Sequence, residues 1–75
     1  MTLADVPLES KSRIRGFRAL SDSELSRLGA LGVREGAFIV KLLRMPLRDP
    51  IECLVGPQLL AQEAWLLERI EVEPA

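Results

Sequence analysis

Hydrophobic and polar positions change period several times along this chain, and each change marks an element. Residues 11–17 alternate, with Lys11, Arg13 and Arg15 on one side and Ser12, Ile14 and Gly16 on the other. Successive strand side chains point to opposite faces, so this stretch predicts a β-strand. Ile14 is the strong apolar residue of the inward set, and the strand leans on Phe17 and its neighbours for the rest. Gly16 points to a bulge or a close backbone approach. From Leu25 the period becomes helical: Leu25, Leu28 and Leu31 recur three apart and predict a short helix over 21–31. Ser21 or Ser23 can cap it, because a serine oxygen accepts from the free N–H groups of the first turn. Ser21-Asp22-Ser23-Glu24 has the capping-box pattern. Gly32 suits the left-handed residue that ends a helix. Gly29 costs about 1 kcal/mol relative to Ala in the last turn, and its small size would let the helix lie close on a sheet.

A long β-type run follows over 37–45. Phe38, Val40 and Leu42 share one face, which is assigned to the core. Ile39, Lys41, Leu43 and Met45 share the other, expected to be half covered. Pro46-Leu47-Arg48-Asp49-Pro50 turns the chain back into a strand over 51–55, where Ile51, Cys53 and Val55 share a face. Gly56-Pro57 is a turn signal. Residues 58–69 are rich in helix formers, and Leu60, Ala64 and Leu67 make a helical stripe, so the local reading is one helix. Trp65 is expected to pack in the core or dock that helix. Ile70 and Val72 alternate with Glu71 and Glu73 as a short last strand. Residues 1–10 read as an N-terminal arm, since Pro7 excludes them from a central strand. The order predicts a mainly β fold with short helices. It corresponds to a small SH3-like β-barrel with one helix after the first strand and a short helix near the C-terminus.

The chain has 75 residues, enough for one domain over 1–75. A domain of this size buries only about 60% of its unfolded surface, but 48% hydrophobic residues supply a core. One Cys and no His exclude an internal disulfide and argue against a zinc site built from this chain alone. Cys53, between apolar neighbours, reads as a small buried hydrophobe. There is no paired acid and base, no activated nucleophile, and no phosphate loop: Gly29-Ala30-Leu31-Gly32 is too short and no Gly-Lys-Ser/Thr follows. The expectation is therefore a binding module, not an enzyme, with no cofactor and no catalytic or metal residues. No secretory signal is visible at the N-terminus, and no run approaches the roughly 18 apolar residues of a spanning helix. A cytoplasmic protein without membrane insertion is expected.

Net charge is −1, yet the charges are segregated. Residues 11–48 carry nine basic against three acidic side chains, whereas 49–75 carry one against six. The favoured reading is neutralisation across a folded sheet, and the sharper one is a basic face that steers an acidic partner.

Specific residues narrow the fold further. Arg27-Leu28, Leu31-Gly32 followed by Gly36, Pro46-Leu47-Arg48-Asp49-Pro50-Ile51 and the terminal Ile70-Glu71-Val72 resemble the FeoA family, ferrous iron transport protein A. Its pattern runs Arg-Leu, Leu-Gly, a Gly-led turn, then Pro-Leu-Gly-Asp-Pro before the next strand. The resemblance covers about residues 11–73. Arg48 stands where the family has Gly, and Gln62-Glu63 where it often has Leu-Arg. The resemblance implies an SH3-like barrel in which Leu59 to Ala61 form a short strand and about Gln62 to Leu67 are helical, against the local helix reading. It also implies a non-catalytic accessory of bacterial ferrous iron uptake that binds and tunes the membrane ferrous transporter through its cytoplasmic GTPase region. A related domain occurs in iron-dependent repressors, so the alternative is a metal-responsive or nucleic-acid-associated regulatory module.

The partner-binding surface expected from the residues combines Leu43, Met45 and Leu47 with Arg44 and Arg48, an apolar centre edged by arginine. Lys11, Arg13, Arg15 and Arg18 form a basic edge, but few aromatics accompany it, so no nucleic acid is expected as partner. Asp49, Glu52 and Cys53 are close in sequence, but Glu52 and Cys53 point to opposite strand faces, which argues against an iron site. Homo-oligomerisation stays open, since a small core and a half-covered face would both gain from it.

Overall fold

The computed structural model describes residues 1–44 and 49–75, with Leu43 and Arg44 described by their backbone only. A 3-10 turn at Leu3–Asp5 precedes β1 (Lys11–Phe17), α1 (Asp22–Ala30), β2 (Phe38–Arg44), β3 (Ile51–Val55), β4 (Gln58–Gln62), α2 (Ala64–Leu67) and β5 (Ile70–Pro74). The fold is mainly β with short helices, as expected.

Local signals act where the sequence places them. The Ser21 hydroxyl accepts from the Glu24 amide at 3.2 Å, and the Glu24 carboxylate accepts from the Ser21 amide at 2.8 Å. This reciprocal capping box starts α1. The helix ends as Gly32 takes φ +88 and the Val33 amide donates to the Leu28 carbonyl at 2.9 Å. Leu28 is the buried residue of the helix, whereas Leu25 is half-buried and Leu31 is 40% exposed. A Cβ at Gly29 or Gly16 would meet open space, so neither glycine serves a close approach. Gly16 does mark a bulge: the β1–β5 register shifts between Ile14 and Gly16.

The sheet has five antiparallel strands in the order β4-β3-β2-β1-β5. No ladder joins β4 to β5 among the described residues, so the barrel is open on that side. The inner face follows the register. Ser12 lies opposite Ile39, which lies opposite Val55; Lys41 lies opposite Cys53, which lies opposite Leu60; Ile14 lies opposite Val72. Ile14, Ile39, Cys53 and Ile70 are fully buried there, with Leu28 from α1 and Leu66 and Leu67 from α2.

This register corrects the reading of β2. Phe38, Val40 and Leu42 do not form its core face: Phe38 is 37% exposed and the other two are half-buried. Ile39 and Lys41 face inward instead, at 0% and 1% exposure. Opposite residues of paired strands share a face, so the pairing of Lys41 with buried Cys53 decides the matter against hydropathy. A further register shift between Lys41 and Leu43 interrupts the alternation.

Two more expectations change. Residues 58–69 are not one helix, because β4 pairs residue for residue with β3 and only Ala64–Leu67 are helical. The resemblance-based division into a strand and a shorter helix matches this outcome. Trp65 is 39% exposed and is neither core nor a helix anchor. The N-terminal arm is packed: Leu3 and Val6 are buried, Thr2 bridges to Glu71, and the Val72 amide donates to the Met1 carbonyl at 3.0 Å. Residues 1–9 thus cover the free side of β5 and reach β2, where the Glu9 amide donates to the Lys41 carbonyl at 2.6 Å.

Candidate protein-binding surface

The residues expected for partner contact fall, in sequence, at the end of β2 and in the segment that follows it. Met45, Leu47 and Arg48 lie outside the described residues, as do the side chains of Leu43 and Arg44. The backbone places Leu43 opposite Glu52 and Arg44 opposite Ile51, at the end of the β2–β3 ladder. Asp49, just beyond the corner, accepts from the Ala64 amide at 2.9 Å and ties the corner to the start of α2.

The structure reveals a second surface that sequence reasoning missed. On the outer face of the sheet Lys11 lies opposite Val40, Val40 opposite Leu54 and Leu54 opposite Leu59, while Arg13 lies opposite Phe38. The Lys11 ammonium sits 4.4 Å and the Arg13 guanidinium 4.9 Å from the Phe38 ring centroid. Such cation–π contacts contribute about 0.5–1 kcal/mol at exposed sites. The result is an apolar row edged by fixed cations. Beside it a groove of about 430 Å³ runs between the end of α1 and the β3–β4 turn, lined by Leu31, Arg34, Phe38 and Pro57 among others. The missed signal was the buried lysine: once Lys41 is inside, Phe38 must be outside.

The basic edge of β1 is divided. Arg15 pairs with Glu73 at 3.0 Å and Arg18 with Glu71 at 3.2 Å, both on β5. These pairs are largely exposed and stabilise little, but they carry out the neutralisation across the sheet that charge segregation suggested. Lys11 and Arg13 are engaged on Phe38 instead.

A second hollow of about 440 Å³ lies between the N-terminal 3-10 turn and α2, lined by Ala4, Lys41, Ile51, Trp65 and Glu68 among others. The Trp65 indole donates to Glu63 at 2.9 Å, and the Arg69 guanidinium lies 5.7 Å from its ring. Burial pushes the Cys53 thiol up to about 11, with Lys41 nearby pulling it slightly down. A thiol of that kind is protonated and inert near neutral pH. No group of three or more His, Cys, Asp or Glu that could hold a metal occurs among the described residues. No helix is long and apolar enough to cross a membrane among the described residues.

The open five-stranded barrel with its end covered by a short helix is an SH3-like fold, and the chain is a small SH3-like module. The FeoA domain family matches residues 1–74, and the chain belongs to the FeoA family, linked to ferrous iron transport. Among solved structures, the FeoA protein from Chlorobium tepidum is 28% identical with TM-score 0.90, covering 99% of this chain and 70% of that one. Iron(II) transport protein A from Clostridium thermocellum is 25% identical with TM-score 0.87; all of this chain aligns, spanning 46% of that protein. Stenotrophomonas maltophilia FeoA complexed with zinc shares the fold at TM-score 0.79 and 24% identity, covering 97% of this chain and 89% of that one. A search of curated proteins finds no match.

Proposed function

We propose that this chain is a non-catalytic cytoplasmic accessory protein of bacterial ferrous iron uptake. It binds the membrane ferrous transporter at its cytoplasmic GTPase region and tunes transport. The family match over residues 1–74 carries this reading. The Stenotrophomonas maltophilia protein is described as an SH3 domain protein and put forward as a ferrous iron transport activating factor, which supports the same role here. With the lone thiol inert and no metal-holding cluster among the described residues, surface shape, apolar area and charge are what this module brings to a partner. The contact surface we propose is the β2–β3 corner, with Leu43, Met45 and Leu47 at its centre and Arg44 and Arg48 at its edge. Apolar centres with arginine at hot spots are the common anatomy of interfaces.

The test is a titration with the cytoplasmic GTPase domain of the same organism's ferrous transporter, with and without a GTP analogue. Trp65 fluorescence is a suitable signal, because the indole is 39% exposed, and calorimetry provides an independent readout. Saturable binding that weakens in Met45→Asp, with unchanged circular dichroism, is the expected result. No binding to the GTPase domain or to the full transporter at high micromolar concentration overturns the proposal.

A further inference from the structure

Exposed apolar side chains gather on and beside the outer face of the sheet. Leu31 and Phe38 line the groove at the end of α1, and Phe38 also lines a neighbouring hollow of about 350 Å³ with Lys11, Val40 and Leu54. Gly56 of the β3–β4 turn borders both. Leu59, 56% exposed, lies opposite Leu54 and carries the row onto β4. Paired strands lie about 4.8 Å apart, so a row from Lys11 to Leu59 crosses about 14 Å of sheet. Single exposed apolar residues need no explanation, whereas a contiguous patch marks a contact surface.

The charge bordering this row is mostly of one sign. Lys11 and Arg13 both hold their cationic ends against the Phe38 ring, so two like charges share one small area. The ion pairs of the described residues fall elsewhere: Met1 and Arg18 meet Glu71, and Arg15 meets Glu73. Glu73 lies opposite Arg13 in register, yet its carboxylate is 3.0 Å from Arg15. Arg34, across the groove, donates to the Gly29 carbonyl and has no carboxylate partner among the described residues. Glu52 is the acidic residue of β3 on this face, opposite Ala61 and two positions from Leu54. We propose that the outer face docks a segment of a partner protein in which apolar side chains are flanked by carboxylates. The apolar side chains cover Val40, Leu54 and Leu59, and a carboxylate set between Lys11 and Arg13 relieves their mutual repulsion. An anionic membrane fits less well, because it attracts clusters of about four to eight basic residues, and this chain has a net charge of −1. The face is separate from the β2–β3 corner, and its role does not depend on what that corner binds.

The experiment pans a phage-displayed library of random peptides against the full chain at low salt, then maps the enriched peptides by amide chemical shifts. Enriched peptides are expected to carry Asp or Glu beside apolar residues. They should shift the amides of Lys11, Arg13, Phe38, Val40 and Leu54 and bind more weakly as salt rises. Lys11→Gln with Arg13→Gln should weaken binding roughly tenfold, the scale of two exposed charge pairs lost. Leu59→Ser should weaken binding while leaving its salt dependence in place. All three positions are exposed, and circular dichroism matching the unmodified chain shows that the variants fold. The same peptides with Asn and Gln in place of their acidic residues should lose binding to the unmodified chain, which no folding defect can mimic. Absence of enrichment, enrichment of neutral or basic sequences, or shifts confined to the β2–β3 corner overturns the proposal. So does binding of phosphatidylserine–phosphatidylcholine vesicles through the same amides, which assigns the face to a membrane instead.

Discussion

The ammonium of Lys41 donates to the main-chain carbonyl of Ala4 at 3.3 Å, joining residues 37 positions apart. Lys41 is 1% exposed, and its own carbonyl accepts from the Glu9 amide. One residue in the middle of β2 therefore holds the N-terminal segment at both ends. Its removal should loosen residues 1–9 before it harms the sheet. Lys41→Ala is expected to lose about 2–5 kcal/mol, through the cavity left and the carbonyl orphaned. Lys41→Met keeps the volume of the stem and leaves no cavity, so it should cost less. Urea unfolding ranks the two variants, and hydrogen exchange at residues 3–9 reports the loosening.

Leu28 is 2% exposed and joins α1 to the core. Leu28→Ala is expected to destabilise the domain by about 2–5 kcal/mol. A loss well under 1 kcal/mol in thermal or urea unfolding would show that α1 does not seal the barrel end.

Phe38 provides the opposite test. Its ring lies on the outer face beneath Lys11 and Arg13. Phe38→Ala should cost about 1–2 kcal/mol, the scale of two exposed cation–π contacts together. A core phenylalanine would cost about 3–5 kcal/mol. Equilibrium unfolding separates these two values cleanly.

Two capping carboxylates make stability depend on acid pH. Backbone hydrogen bonds at Thr2 and Ser21 hold Asp5 and Glu24 below their ordinary values of 3.8 and 4.5. Groups depressed on folding add stability that is present above the ordinary value and lost as pH falls through the lower folded one. Unfolding midpoints in urea should therefore fall as pH drops below the ordinary carboxylate range. Asp5→Asn combined with Glu24→Gln should flatten that slope. Ser21→Ala, which removes the cap, should cost about 1 kcal/mol at neutral pH.

The thiol of Cys53 should resist modification. With its pKa pushed up to about 11 by burial, alkylation by iodoacetamide at pH 8 is expected to be slow in the folded chain and fast in denaturant. Mass spectrometry of the quenched reaction follows it. Equal rates would place Cys53 outside the core.

Much of the architecture could be read along the chain, but the candidate surface could be read only in part. The capping box at Ser21 and Glu24, the stop at Gly32 and the inward set Ile51, Cys53 and Val55 depend on local chemistry, and all three hold. The outer face of Phe38, Val40 and Leu54 was invisible, because hydropathy ranks Phe above Lys as a core residue. Lys41 breaks that ranking by burying its stem and directing its ammonium to a carbonyl of the N-terminal segment.

The sequence by itself determined where α1 starts and stops, the closing of β3 by Gly56-Pro57, and the family. Those signals act within a few residues through caps, left-handed turns and alternation. The tertiary structure decided which face of β2 turns inward and that 58–62 is a strand. Alternation defines two faces without naming the inner one, and only the register with Ser12, Val55 and Cys53 selects it. Helix propensities differ by tenths of a kcal/mol per residue. They yield over 58–62 to the ladder with β3, which satisfies main-chain groups and buries Gln62 beside Ile51.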